Sequence, residues 1–162
     1  MSTVPGAHDP GRPLSHLSNV ADALDSPSPH GSSAVTRAPF HALAAASVSV
    51  DPKFWPERSD KHRSLYAFVY KVRIHNVGDV PITVRKRRWE IIDANSERKV
   101  IQGEGVVGQQ PTIAPGEAFE YASFCPIDTR WGTMEGTYTL ELPDGSCFDA
   151  RIGRFFLVGP EH

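Results

Sequence analysis

The sequence is short of cysteine, of long apolar runs and of net charge, and each shortage removes a class of function. Cys125 and Cys147 are its only cysteines, so at most one disulfide could form, which excludes a small scaffold held together by several bridges. From Met1 to Leu17 there is no basic segment followed by an apolar core, so no secretory signal is visible. The expectation is a cytoplasmic protein with two reduced thiols, both packed as small buried hydrophobes. The longest apolar run in the part that reads as folded is Leu65–Tyr70, far below the ~20 residues of a membrane helix. The chain therefore cannot itself be a helical channel or pump, and no membrane insertion is expected. Its 17 Lys and Arg against 19 Asp and Glu leave a formal charge of −2. No broad basic field results, which argues against non-specific nucleic-acid binding as the main task.

Aromatic residues are also missing from the first 39 positions, although 3 Trp, 4 Tyr and 8 Phe follow from Phe40 onward. That opening segment is rich in proline, serine and glycine and has hardly any apolar periodicity. Such a composition buries too little surface to offset the roughly 1–2 kcal/mol per residue of backbone ordering. The expected division is a disordered tail over residues 1–39 and a folded domain over 40–162, large enough to fold without disulfides or a metal. No internal repeat is evident.

What the folded part does contain is alternation of period two. Tyr66, Phe68, Tyr70, Val72 and Ile74 line one side, while the opposite side, Leu65 to His75, starts apolar and turns polar. This predicts a long strand with one buried face and one part-exposed face. Asn76-Val77-Gly78-Asp79 supplies a turn, and Val80, Ile82 and Val84 a return strand. The apolar parity then shifts to Trp89 and Ile91, which predicts a bulge or a crossing between sheets near Lys86–Arg87. Asp93 to Ser96 is a second turn before a short strand near Arg98–Ile101. Phe119-Tyr121-Ser123 and Tyr138-Leu140-Leu142 alternate likewise, and Pro143-Asp144-Gly145 reads as a hairpin turn. After Ile152 the parity shifts once more, and Ala45–Val50 reads as a first strand. Seven or eight short strands without an amphipathic helix predict an all-β fold, an antiparallel β-sandwich of the immunoglobulin or fibronectin type III kind. Trp131 lies only six residues after Cys125, which does not fit the immunoglobulin inter-sheet pair, so the disulfide-free fibronectin-like variant is favoured.

One motif could carry chemistry. Residues 103–108 read Gly-Glu-Gly-Val-Val-Gly, a match to G-x-G-x-x-G in which Gly103, Gly105 and Gly108 could let backbone N–H groups approach a phosphate. The dinucleotide fingerprint needs a helix after the third glycine, whereas Pro111 and Pro115 follow here, so a Rossmann site is excluded. Two readings remain: a tight crossover loop beside a solvated basic edge, or an anion nest completed by Arg85 and Arg88. No metal-ligand spacing, HExxH, CxxC or GxSxG occurs, so neither a metal site nor a cofactor is expected and an enzyme is disfavoured. Trp89 reads as core. Trp131, in Asp128-Thr129-Arg130-Trp131-Gly132, reads either as core or as an exposed contact residue.

Several stretches together resemble the ApaG family. They run from Tyr70 to Gly78, through Arg88-Trp89 and Gly103–Gly108, then Gln110-Pro111, Ile113 and Pro115-Gly116-Glu117. Phe119, Tyr121, Ser123, Thr129 and Gly132–Tyr138 follow, and Asp144-Gly145, Phe148, Ile152, Phe155 and Leu157 close the match. The similarity spans roughly residues 40–160. Gly153 stands where the family usually has proline, and the tail has no counterpart in typical bacterial members. The resemblance implies a fibronectin-type sandwich, an association with cobalt resistance and magnesium efflux, and a glycine loop that binds pyrophosphate. Related domains in a eukaryotic F-box protein and in a DNA polymerase-delta interacting protein imply a partner-binding module. With no membrane span, any efflux role would be indirect. The favoured expectation is a non-catalytic module that binds an unidentified protein through a patch including Gln110 and Trp131. The alternative is a small-anion sensor that holds a nucleotide pyrophosphate at the glycine loop with Arg85 or Arg88.

Overall fold

The alternation that begins at Tyr66 forms a strand, Tyr66–Asn76, along which Phe68, Tyr70, Val72 and Ile74 are fully buried. The computed structural model describes residues 32–38 and 41–161, and this is the third of nine strands among them. In chain order the strands are β1 Ser32–Ala38, β2 His41–Phe54, β3 Tyr66–Asn76, β4 Ile82–Asp93, β5 Arg98–Glu104, β6 Thr112–Ile113, β7 Ala118–Ile127, β8 Trp131–Glu141 and β9 Cys147–Val158. They form two antiparallel sheets, one ordered β1-β2-β3-β7 and the other β5-β4-β8-β9, with β6 paired to the start of β4. Two such sheets enclosing one core make the expected sandwich. At its centre the ring of Trp89 lies 5.4 Å from Tyr70, 6.0 Å from Phe155 and 6.3 Å from Tyr138. Trp89 is therefore core, as its place in the alternation requires.

The parity shifts are bulges. Val84 pairs with Leu140 and Lys86 with Thr139, so Arg85 is an extra residue in β4. The irregularity falls one residue before the predicted place, and β4 stays in one sheet. In β9, Ile152 pairs with Gly136 and Phe155 with Met134, which leaves Gly153 and Arg154 opposite Glu135. The Asp144-Gly145 turn forms with Gly145 at φ +88° and its N–H donating to the Leu142 carbonyl at 2.9 Å. Asn76 is wholly buried, and its amide donates to the carbonyls of Val80 at 2.8 Å and Ile113 at 2.9 Å. One side chain thus ties the β3–β4 turn to β6.

Two expectations need correction. Ser32–Ala38 is not tail: it pairs with β2 from Ser32 opposite Val50 to Arg37 opposite Ala45. Thr36 also reaches the facing sheet, where its Oγ1 accepts from the Arg151 N–H at 3.0 Å. A segment poor in apolar residues can form a strand when a sheet edge supplies its backbone partners, and composition does not report that supply. Residues 1–31 lie outside the described residues. The second correction concerns the thiols. Cys125 is buried and free, and burial pushes its thiol up to about 12. Cys147 is exposed, because Phe148 and Ala150 take the inward positions at the start of β9.

The outer faces of the two sheets differ, and the difference positions the site. Ala67 and Val69 point outward from β3 yet are 2% and 3% exposed. The segment between β2 and β3, with its single-turn 3-10 helices Pro56–Arg58 and Lys61–Arg63, lies against that face. Trp55 packs edge-on against Phe124 of β7 at 5.8 Å, and the Arg58 guanidinium lies 5.4 Å from the Trp55 ring. Ser59 Oγ pins the segment by accepting from the Ala67 N–H at 2.9 Å. The apolar half of this face, visible in the sequence as Leu65, Ala67 and Val69, is thus covered by the chain itself.

Candidate functional site

The glycine loop closes the β5 end of the core. Gly103 pairs with Arg87 across β4 and β5, and a Cβ there would lie 2.6 Å from the Arg87 guanidinium. Arg87 turns inward, is 6% exposed, and donates through Nη1 to the carbonyls of Glu104 at 2.7 Å and Gly105 at 2.9 Å. Gly105 adopts φ +63°, and its N–H donates to the Arg85 carbonyl at 2.7 Å. Val106 and Gln109 exchange N–H to carbonyl bonds of 2.8 and 2.9 Å around Val107 and Gly108, at φ +45° and +76°. Two successive positive φ values make this a tight primed turn. A β-branched residue held there is strained, and the reciprocal bonds across the turn hold it. Val106 itself is fully buried.

Arg85, the bulge residue, bonds to Glu141 through Nε at 2.9 Å and Nη2 at 3.2 Å, and to Gln110 Oε1 through Nη1 at 2.6 Å. The hydrogen bond with Glu141 is the main cause that raises the Arg85 guanidinium and lowers the Glu141 carboxyl from their ordinary values. Of the residues expected to bind an anion, the structure brings Gly103, Gly105, Gly108 and Arg85 together, with Gln110 beside them. The N–H groups of Gly105, Val106 and Gln109 are spent within the protein. Arg88 stands apart: its side chain lies on the outer sheet face, 3.5 Å from Glu90.

That outer face, on the β5-β4-β8-β9 sheet, is the second constellation. Trp131 and Val158 are cross-strand partners, as are Thr133 and Phe156 one step further along the same face. Trp131 is 41% exposed, Phe156 57% and Val158 57%. Ile92, the partner of Thr133 on β4, continues the apolar end. In the neighbouring rows Glu90 accepts from Arg98 at 2.8 Å and Glu135 from Arg154 at 2.8 Å. Trp131 is exposed on this face, so its alternative reading as core does not hold, while Gln110 belongs to the loop and not to this face.

Comparison with known proteins bears on both constellations. The model of the ApaG domain matches residues 56–142, just over half of the chain. The chain belongs to the ApaG family. Protein ApaG of Anaeromyxobacter dehalogenans is 51% identical over 113 residues, covering 70% of this chain and 89% of that protein. Protein ApaG of Bordetella pertussis is 46% identical over 114 residues, covering 70% and 87%. The crystal structure of a Bordetella pertussis protein described as ApaA superposes with a TM-score of 0.71 at 44% identity, covering 74% of this chain and 97% of that one. The ApaG match includes the glycine loop, Arg85, Arg87 and Trp131, whereas Phe156 and Val158 of β9 lie beyond it.

Sequence reasoning missed three residues in this ApaG chain. Arg87 was passed over for its neighbours Arg85 and Arg88, although the parity that buries Trp89 also turns Arg87 inward. Phe156 and Val158 flank Leu157 in a strand whose inward positions are Phe155 and Leu157. Apolar residues on both parities of an otherwise half-exposed strand were the available signal.

Proposed function

We propose that this ApaG-family protein is a non-catalytic protein-interaction module that binds through the outer face of its β5-β4-β8-β9 sheet. The observation that carries the reading is the grouping of Trp131, Phe156 and Val158, all substantially exposed, on a sheet face left bare by the chain segments described. Contiguous exposed apolar groups of this kind mark interaction sites, and aromatic residues supply most of the energy in them. The glycine loop supports the reading from the other side. A nucleotide pyrophosphate held there would have to displace the internal bonds of Gly105, Val106 and Gln109 and the Arg85–Glu141 pair. Among the described residues no group of three His, Cys, Asp or Glu side chains lies within reach of one metal ion. An association with cobalt resistance and magnesium efflux, which the family resemblance implies, would in this reading run through the bound partner.

The test is capture from an extract of the native cell on tagged full-length chain, wild type against Phe156→Ser/Val158→Ser. Val35→Ser/Val77→Ser, which removes exposed valines elsewhere, is the control. Proteins retained by wild type and control are expected to fall at least tenfold on the double variant. Equal retention by all three would contradict the proposal.

A further inference from the structure

The same face carries a charge pattern that specifies the partner further, an inference that rests on the reading just given. Arg88, Arg98 and Arg154 share only two carboxylates, Glu90 and Glu135, in the rows next to the apolar end. Exposure separates the signs. The three guanidinium side chains are 41%, 58% and 55% exposed, while Glu90 and Glu135 are 16% and 23% exposed. The carboxylates lie beneath and the cations outermost, so an approaching group meets positive charge first. Each arginine keeps donors beyond those its carboxylate accepts, since a guanidinium carries five. The apolar end is small. Side chains of this kind at these exposures leave uncovered an area on the order of 300 Å², well below the ~800 Å² per partner of a stable interface between whole domains. A second copy of the chain would also bring the same outward cations against one another.

We infer that this face docks a short acidic segment of a partner protein. Its apolar side chains seat on Trp131, Phe156 and Val158, and its carboxylates meet the outer donors of Arg88, Arg98 and Arg154. The pleat suits such a segment, because outward rows along the sheet recur at the two-residue spacing of an extended peptide. Nucleic acid fits less well, because Glu90 and Glu135 lie within the band and the net positive charge is small.

The experiment is fluorescence anisotropy of the full-length protein with three labelled probes. One is a ten-residue peptide with Leu and Phe in its first half and Glu and Asp in its second, the second the same peptide with Lys at every acidic position, and the third a decathymidylate. The acidic peptide is expected to bind saturably with a dissociation constant of roughly tens of micromolar, as suits a small and partly electrostatic contact. The lysine peptide and the oligonucleotide are expected to bind at least tenfold more weakly. Arg154→Glu and Phe156→Ser, both at exposed positions, should each weaken the acidic peptide about tenfold, with circular dichroism unchanged. Raising the salt should weaken it as well. Equal binding of both peptides, tighter binding of decathymidylate, no saturation at millimolar peptide, or indifference to both substitutions would overturn the inference. If extract capture still depends on Phe156 and Val158 when the acidic peptide fails, the interaction module stands and only the acidic character of its partner falls.

Discussion

Replacing Arg87 by Met is expected to lower the unfolding free energy by about 3 kcal/mol, the cost of leaving buried acceptors without their donor. Arg87 is a buried cation in a strand position that otherwise takes apolar residues, and it is held there by the loop. Its Nη1 donates to two successive carbonyls, Glu104 and Gly105, at 2.7 and 2.9 Å. Methionine keeps much of the volume but supplies no donor, so both carbonyls lose the Nη1 bond. Val106 would then lose its anchored place in the core. Arg87→Lys keeps the charge without the planar fork, and about half the loss is expected. Urea unfolding followed by tryptophan fluorescence measures this. A loss below about 1 kcal/mol for Arg87→Met, the ordinary size of a single net hydrogen bond, would contradict the account of Arg87 as the brace of the loop.

The second large effect falls on Gly105. A side chain there faces two obstacles, the positive φ of +63° and the Gln109 carbonyl oxygen, which a Cβ would meet well inside van der Waals contact. Gly116 has the first obstacle without the second, with φ +81° and nothing within 4 Å of a Cβ. Comparing them separates backbone strain from collision. Gly116→Val is expected to cost roughly 1–3 kcal/mol, the range of a residue held in the left-handed region. Gly105→Val is expected to cost about 2 kcal/mol more, because the Val106–Gln109 turn must open to admit the side chain, placing it among the most damaging single substitutions. Equal costs at the two positions, again from urea unfolding, would mean that the loop yields freely.

Most of the fold was legible in the sequence because period-two alternation reports directly which face of a strand is buried. Tyr66 to Ile74 and Tyr138 to Leu142 lie where that rule puts them, and both parity shifts became bulges. Ser32–Ala38 was not legible. Its strand character comes from pairing with β2 and not from its own apolar content, so a reading based on composition assigned it to the tail. The site was half legible. Trp131 and the loop glycines stand out in the sequence, whereas Arg87 does not, although it shares the inward parity of Trp89 and Ile91. One extra residue at Arg85 resets the parity of all that follow, sending Arg87 beneath the loop and Arg88 to the outer face. Phe156 was hidden by its neighbour Phe155, since two adjacent aromatics in a strand read as core until register assigns one of them outward.

In the proposed function this ApaG-family protein works through the outer sheet face and its glycine loop is structural. A photo-reactive amino acid placed at position 156 or at position 107 of the full-length chain, irradiated in the native cell, tests both halves together. Position 156 lies amid the proposed docking surface, and position 107 at the tip of the loop turn. A discrete crosslinked protein is expected from position 156 and none from position 107. A crosslink from position 107 with none from 156 would contradict it.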